Sequence, residues 1–239
     1  MIKTKKITSI STLLPKNTSD IIYVNVMTWH NENHPYGSRY YKFSPYHLKT
    51  DGKEGQYNKG DILFENFWQG SKVWPTIYDC EIWAHKSLRG NAKHLWFKYK
   101  CSNGLGSEKH LINNHIQSEY YSWRDEIFKC DKPIRYPNGY KRASEVAFSL
   151  YIGLDGIEKR LDYIQARKNI YVKEYCRLIR KIPEFEELRN ALKENKTLII
   201  CEIDVPDNEI ITLPKLDTLL NNKRIKFGHG LCLAMELLR

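Results

Sequence analysis

Glu65, Gln69 and Lys72 are spaced i, i+4 and i+7 in the stretch Phe64-Glu65-Asn66-Phe67-Trp68-Gln69-Gly70-Ser71-Lys72-Val73-Trp74. On a helix this spacing sets a carboxylate, an amide and an ammonium along one face, while Leu63, Phe67 and Trp74 point elsewhere and can anchor the helix in a core. A carboxylate in such a row can stabilise a positive centre or orient a water as general base. The same row is also what an ordinary solvated helix face looks like, and spacing alone leaves both readings open. His229, bracketed by glycines in Phe227-Gly228-His229-Gly230, titrates near neutral pH. It fits a proton donor, or equally a hydrogen-bonded loop histidine. Arg160 and Asp162 stand two apart; they can pair with each other, and Asp162 can cap a following helix.

These residues need elements to hold them. Asp61 is a plausible N-cap for a helix over 62–74 that Pro75 stops. A polar lead-in over 1–20 precedes a β-branched strand at 21–27, and 29–60 is rich in Pro and Gly and reads as loop. The alternation at 95–101 predicts a strand, 118–128 a short helix, and 146–152 another strand. A helix over about 161–182 carries an apolar stripe of Ile164, Tyr171, Tyr175, Leu178 and Ile182. Pro183 opens a helix at 184–194. The clearest strand is 197–205, followed by a short helix at 214–220, the 227–230 glycine loop and a terminal apolar helix at 231–238.

The chain has 239 residues, enough for one large domain with a true core, and 41% hydrophobic against 28% charged residues is a globular balance. The formal charge of +10 fits attraction to a polyanion or a phosphate-bearing nucleotide, or simply a lysine-rich surface. Aromatic residues interleave with cations in Trp96-Phe97-Lys98-Tyr99-Lys100, Arg135-Tyr136 and Tyr140-Lys141-Arg142, a pattern that suits stacked bases or the charged face of a strand. The six cysteines make no Cys-x-x-Cys pair, and Cys176, Cys201 and Cys232 lie in apolar runs, so a reducing compartment is expected. The basic start lacks an apolar signal region and no apolar run approaches a membrane span, which points to a cytoplasm (a host's, if the gene is viral) and to no membrane partner. His30 and His34 are four apart, but Pro35 and the neighbouring Asn and Gly argue for a loop rather than a zinc helix, so no metal is expected. Gly-rich phosphate and dinucleotide fingerprints are missing.

The stretch Glu65-Asn66-Phe67-Trp68-Gln69-Gly70-Ser71-Lys72-Val73 resembles the signature helix of the NADAR (YbiA-like) family, which reads roughly Glu-His-Tyr-Phe-Gln-Ala-x-Lys-Phe. Other stretches follow in the family's order. Phe43-Ser44-Pro45 with Asp51-Gly52 is similar to its upstream approach, and Arg160-Leu161-Asp162-Tyr163 to its Arg-Pro-Asp-Trp. Pro183-Glu184-Phe185 stands where a Pro-Glu-Leu helix is found. Phe227-Gly228-His229-Gly230 and Leu233-Ala234-Met235-Glu236-Leu237-Leu238-Arg239 are similar to its Trp-Gly-Asp-Gly loop and closing helix. The likeness covers about half the chain, 43–74 and 160–239. Residues 75–159 exceed what the family carries there and read as an insertion, and His229 replaces the family's aspartate.

The resemblance implies an α+β fold: a single, mostly helical domain over 1–239 with small sheets, YbiA-like, carrying that insertion. It implies hydrolysis of an N-glycosidic bond, in a ribosylamino-pyrimidine or in ADP-ribose joined to a base, with no cofactor. In that reading Glu65 stabilises the cationic sugar, and His229 protonates the leaving base. Lys72 and Arg160 contact phosphate or ribose, and Gln69 holds Glu65 or a sugar hydroxyl. Trp68 and Asp162 complete the pocket, with Phe227 stacking on the base beside Gly228. The partner is a nucleotide or an ADP-ribosylated nucleic acid. A binding module that keeps the pocket without turnover is the competing expectation, and a protein using only its basic surface on DNA or RNA is the third.

Overall fold

The computed structural model describes residues 1–9, 12–28, 30–53, 60–83, 95–134, 145–153 and 155–239, with the backbone alone for 80–83 and 95–97. The basic stretches Arg135-Tyr136 and Tyr140-Lys141-Arg142 and the side chains of Trp96 and Phe97 lie outside the described residues. Helices and several two- and three-stranded sheets mix in one α+β chain. No helix among the described residues is long and apolar enough to cross a membrane. Where the sequence reads as one domain, the contacts group into two compact units, Met1–Leu48 with Ile164–Arg239, and Lys49–Tyr163.

The first unit is built on a parallel three-stranded sheet with Thr197–Glu202 in the middle, Ile2–Lys6 on one side and Ile21–Asn25 on the other. The central strand is almost wholly apolar because both its edges are paired and its side chains are covered. The expected polar lead-in over 1–20 is therefore wrong at its start. Ile2 and Thr4 are buried and Lys3 and Lys5 are not, the two-residue alternation of a half-covered strand hidden under a lysine-rich composition. The long helix starts at Tyr163–Ala166, passes through a π-helical stretch, Arg167–Val172, and ends in Lys173–Ile179. Helices Pro183–Lys193, Leu213–Asn221 and His229–Leu237 complete the unit, and every residue of the last is buried.

The long helix brings a buried cation that the stripe did not foretell. Arg167 is 2% exposed, and its guanidinium donates to the carbonyls of Leu219, Leu220, Asn222 and Ile225 at 2.8–3.3 Å. These include C-terminal carbonyls of helix Leu213–Asn221, which have no partner inside that helix and carry its negative dipole end.

In the second unit, Lys49–Asp51 pairs with Gly60–Leu63, and the chain passes directly into the helix Phe64–Gly70. The helix expected over 62–74 is shorter at both ends. Asp61 is no cap: it sits in the strand with φ of 67°, and Leu63 occupies the N-cap position. Ser71 ends the helix and Lys72–Val73 is a short strand. That strand forms one edge of a three-stranded antiparallel sheet with Phe148–Ile152 in the middle and Glu158–Leu161 outside. Helix Ser118–Lys129 covers the motif helix. Phe67 and Phe128 stack at 6.4 Å, and Tyr120 Oη donates to the Gly70 carbonyl at 2.9 Å. Gly70 has to lack a side chain, since a Cβ there would lie 2.5 Å from the Phe128 ring.

Candidate functional site

The motif helix divides cleanly. Phe64, Asn66, Phe67 and Gly70 are buried, and Glu65, Trp68 and Gln69 are half-buried, so the half-open side of the helix consists of candidate residues. Asn66 is fully covered and organises its surroundings. Its amide donates to the carbonyls of Cys130 and Lys132 at 3.0 and 2.9 Å, and its oxygen accepts the Ile134 N–H at 2.8 Å. A short polar side chain that bonds to backbone on both its donor and acceptor sides is a structural clamp, not a site group.

The expected row of three is present in altered form. Gln69 Nε2 donates to Glu65 Oε1 at 2.8 Å, and Lys72 Nζ donates to Gln69 Oε1 at 2.8 Å. Lys72 is not on the helix; the strand after Ser71 returns it to the same side. Its ammonium lies 4.9 Å from the centre of the Trp68 ring. Desolvation lowers the Lys72 pKa to about 8, against the opposing pull of the Glu65 carboxylate. The other oxygen of Glu65 has no hydrogen-bond partner among the described residues. Carboxylate, amide and ammonium thus form one hydrogen-bonded chain beside an indole.

Arg160 does not join this chain. It lies in the strand Glu158–Leu161 rather than at a helix head, and pairs across to Leu150. Lys72, Ser149 and Leu161 are aligned across the sheet, so they share a face, and Arg160 projects from the other one. Its exposed guanidinium lies over the Phe148 ring at 4.6 Å and donates to Asn114 Oδ1 at 2.7 Å. Asn114 is presented by a two-residue hairpin turn in which Asn113 and Asn114 both take positive φ. Asp162 is exposed and immediately precedes Tyr163, the first helical residue.

Phe227, Gly228 and His229 belong to the first unit. The expected glycine loop is a helix start, with Gly228 at the N-cap and His229 the first helical residue. His229 is 6% exposed and both ring nitrogens are engaged. Nε2 is 2.8 Å from the Val26 carbonyl, which only accepts, so Nε2 carries a hydrogen. Nδ1 is 3.1 Å from Glu202 Oε1, and Glu202 Oε2 accepts the Gly230 N–H at 2.7 Å. In this arrangement the two nitrogens of His229, the candidate proton donor to a leaving base, hold a strand end and a buried carboxylate.

The two glycines have the same cause. A Cβ on Gly228 would lie 2.0 Å from Glu202 Oε1, and one on Gly230 2.6 Å from Oε2. The glycines let a carboxylate seat against a helix N-terminus, where the dipole favours it. Sequence reasoning missed Glu202; its signal was a single acidic residue ending an otherwise apolar strand. Phe227 is buried, with the Arg167 guanidinium 5.9 Å from its ring centre.

A second buried cluster lay in the segment read as an insertion. Tyr99 Oη donates to Glu108 Oε1 at 2.5 Å, His110 Nε2 lies 2.9 Å from the same oxygen, and Ser102 N–H donates to Oε2 at 3.2 Å. Burial lowers the His110 pKa, and Glu108 opposes that shift. The His110 ring also packs against Tyr120 and Trp123, so this cluster sits in a core. His30 and His34 stack face to face at 3.9 Å. Among the described residues no group of three His, Cys, Asp or Glu side chains is placed to hold a metal.

A comparison with protein-family models finds no match, and neither a curated protein nor a solved structure matches the chain.

Proposed function

We propose that the chain is an N-glycosidase of NADAR (YbiA-like) type, acting on an ADP-ribosylated or otherwise modified nucleotide or nucleobase, with Glu65 as the working carboxylate. The family reading rests on the motif residues themselves and carries with it a YbiA-like fold, the insertion over 75–159 and a cytoplasmic setting. The observation that supports the activity best is the hydrogen-bonded chain Glu65–Gln69–Lys72 on the half-open side of the motif helix.

Breaking a C1′–N bond puts positive charge on the sugar. A carboxylate beside C1′ stabilises that charge and can take a proton from the attacking water. Gln69 holds one oxygen of Glu65 and leaves the other for that task. At neutral pH the Lys72 ammonium supplies the positive charge a phosphate needs, and the Trp68 indole supplies an apolar wall.

The test is product analysis by mass spectrometry after incubation with ADP-ribosylated DNA, free ADP-ribose adducts and ribosylamino-pyrimidines. Wild type releases base or sugar from one of these, and Glu65→Gln, folded to the same melting temperature, slows release by about 10²-fold or more. Release at an unchanged rate by the variant, or from no substrate by wild type, removes the glycosidase reading. The engagement of both His229 nitrogens favours a second reading, a nucleotide-binding module without turnover. That module binds ADP-ribose, leaves every adduct intact and loses little affinity on Glu65→Gln.

A further inference from the structure

We infer that Ser149 is a further ligand-contact residue of the Glu65–Gln69–Lys72 site, its hydroxyl donating to the phosphate oxygen that Lys72 neutralises; this rests on the glycosidase or nucleotide-binding reading of that site. The register carries the inference. Ser149 is the cross-strand partner of Lys72. The neighbouring pair is joined by a Leu150 N–H bond of 2.7 Å to the Ser71 carbonyl, so the alternation of an antiparallel ladder makes Ser149 and Lys72 a non-hydrogen-bonded pair. In such pairs the side chains leave the same face at closest approach, with Cβ atoms roughly 4.5–5.5 Å apart.

Two further facts distinguish this serine. It is 5% exposed, yet among the described residues its hydroxyl has no hydrogen-bond partner. The hydroxyl is not among the enclosed unpaired polar atoms, so a residue that is otherwise covered keeps one reachable, unpaired donor beside the strand of the ammonium. Lys72 already gives one hydrogen to Gln69 and keeps two. The ammonium and the serine hydroxyl come from paired residues on one face of the sheet, two donors of a kind suited to an anionic oxygen of a diphosphate rather than to the uncharged face of a base. Leu161, on the far side of Ser149 along the same face, closes the row with an apolar group.

The experiment is titration of the full chain with ADP-ribose and, separately, with the matching nucleoside, by calorimetry at pH 7. Ser149→Ala weakens ADP-ribose by about tenfold and leaves the nucleoside unchanged. Ser149→Cys, which keeps the volume but donates weakly, falls between wild type and Ser149→Ala. Melting temperatures accompany each titration, and the affinity of Ser149→Cys decides the matter if Ser149→Ala does not fold. Equal affinity of wild type and both variants for ADP-ribose, with Lys72→Met still weakened, overturns the inference and leaves the site reading standing. An equal loss for nucleoside and ADP-ribose also overturns it, because a phosphate contact moves only one of them. Wild type that binds neither ligand brings down the site reading and the inference together.

Discussion

At the scale of the residue, Lys72 is the candidate-site group whose protonation state its surroundings set. With its pKa lowered to about 8 by desolvation, it is an ammonium at pH 7 and loses its proton as pH rises through about 8. Affinity for a phosphate-bearing ligand is therefore expected to fall above pH 8. Lys72→Arg, whose guanidinium stays charged, flattens that step, and a binding titration from pH 6.5 to 9.5 reads both. The stability linkage has a definite sign. The unfolded lysine titrates near its ordinary 10.5, so between about 8 and 10.5 the unfolded chain holds more protons than the folded one. Stability rises with pH across that window, and the penalty of the buried charge is fully present below it. The spacing of Glu65, Gln69 and Lys72 was legible in the sequence, but the carrier of Lys72 was not. Gly70 and Ser71 end the helix where Phe128 and the Trp68 carbonyl meet them, and these are tertiary and local contacts that periodicity does not register.

Elements are positioned here by buried polar side chains as much as by apolar faces. Asn66 ties the motif helix to the backbone at 130–134 through three hydrogen bonds. Asn66→Ala strips partners from two partly covered carbonyls and one buried N–H, a loss of about 2–3 kcal/mol. Urea denaturation is expected to show a lower midpoint with an unchanged slope, and activity per folded molecule that drops because the helix bearing Glu65 loosens. Glu202 and Arg167 serve the opposite ends of two helices in the first unit, a carboxylate at the N-terminus of His229–Leu237 and a guanidinium among the carbonyls at the C-terminus of Leu213–Asn221. Both signs agree with the helix dipole. Most helices were legible and most strands were not: the helix expected at 118–128 is Ser118–Lys129, and that at 184–194 is Pro183–Lys193, whereas short strands such as Lys49–Asp51, Thr76–Tyr78 and Glu158–Leu161 were not expected. The signals of the helices are local, a proline at a first turn and an apolar stripe. The π-helical stretch Arg167–Val172 was not legible, because a widened turn has no composition of its own.

For the whole molecule, the net charge of +10 bears on which form of ligand is met first. If the substrate is a nucleic acid, its phosphates release counterions on binding, and the dissociation constant rises by about 10³-fold or more between roughly 50 and 200 mM salt for a contact with six or more phosphates. A free ADP-ribose carries one diphosphate, and its affinity changes by far less over that range. Fluorescence anisotropy with labelled ADP-ribosylated DNA and with labelled ADP-ribose separates the two, and equal salt slopes exclude a polymer-tracking surface. The sequence by itself determined the α+β class, most helix positions, the strands Ile21–Asn25, Leu95–Tyr99, Phe148–Ile152 and Thr197–Glu202, the burial of Cys176, Cys201 and Cys232 and the spacing of Glu65, Gln69 and Lys72, because each is written in residue type and short-range period. Only the tertiary structure decided that Arg160 leaves the opposite face of the sheet from Lys72, that Ser149 stands beside that lysine, and that His229 is held by Glu202 and Val26. Those relations join residues tens to hundreds of positions apart, and strand register and a carboxylate's seat against two glycines arise only when distant segments pack together.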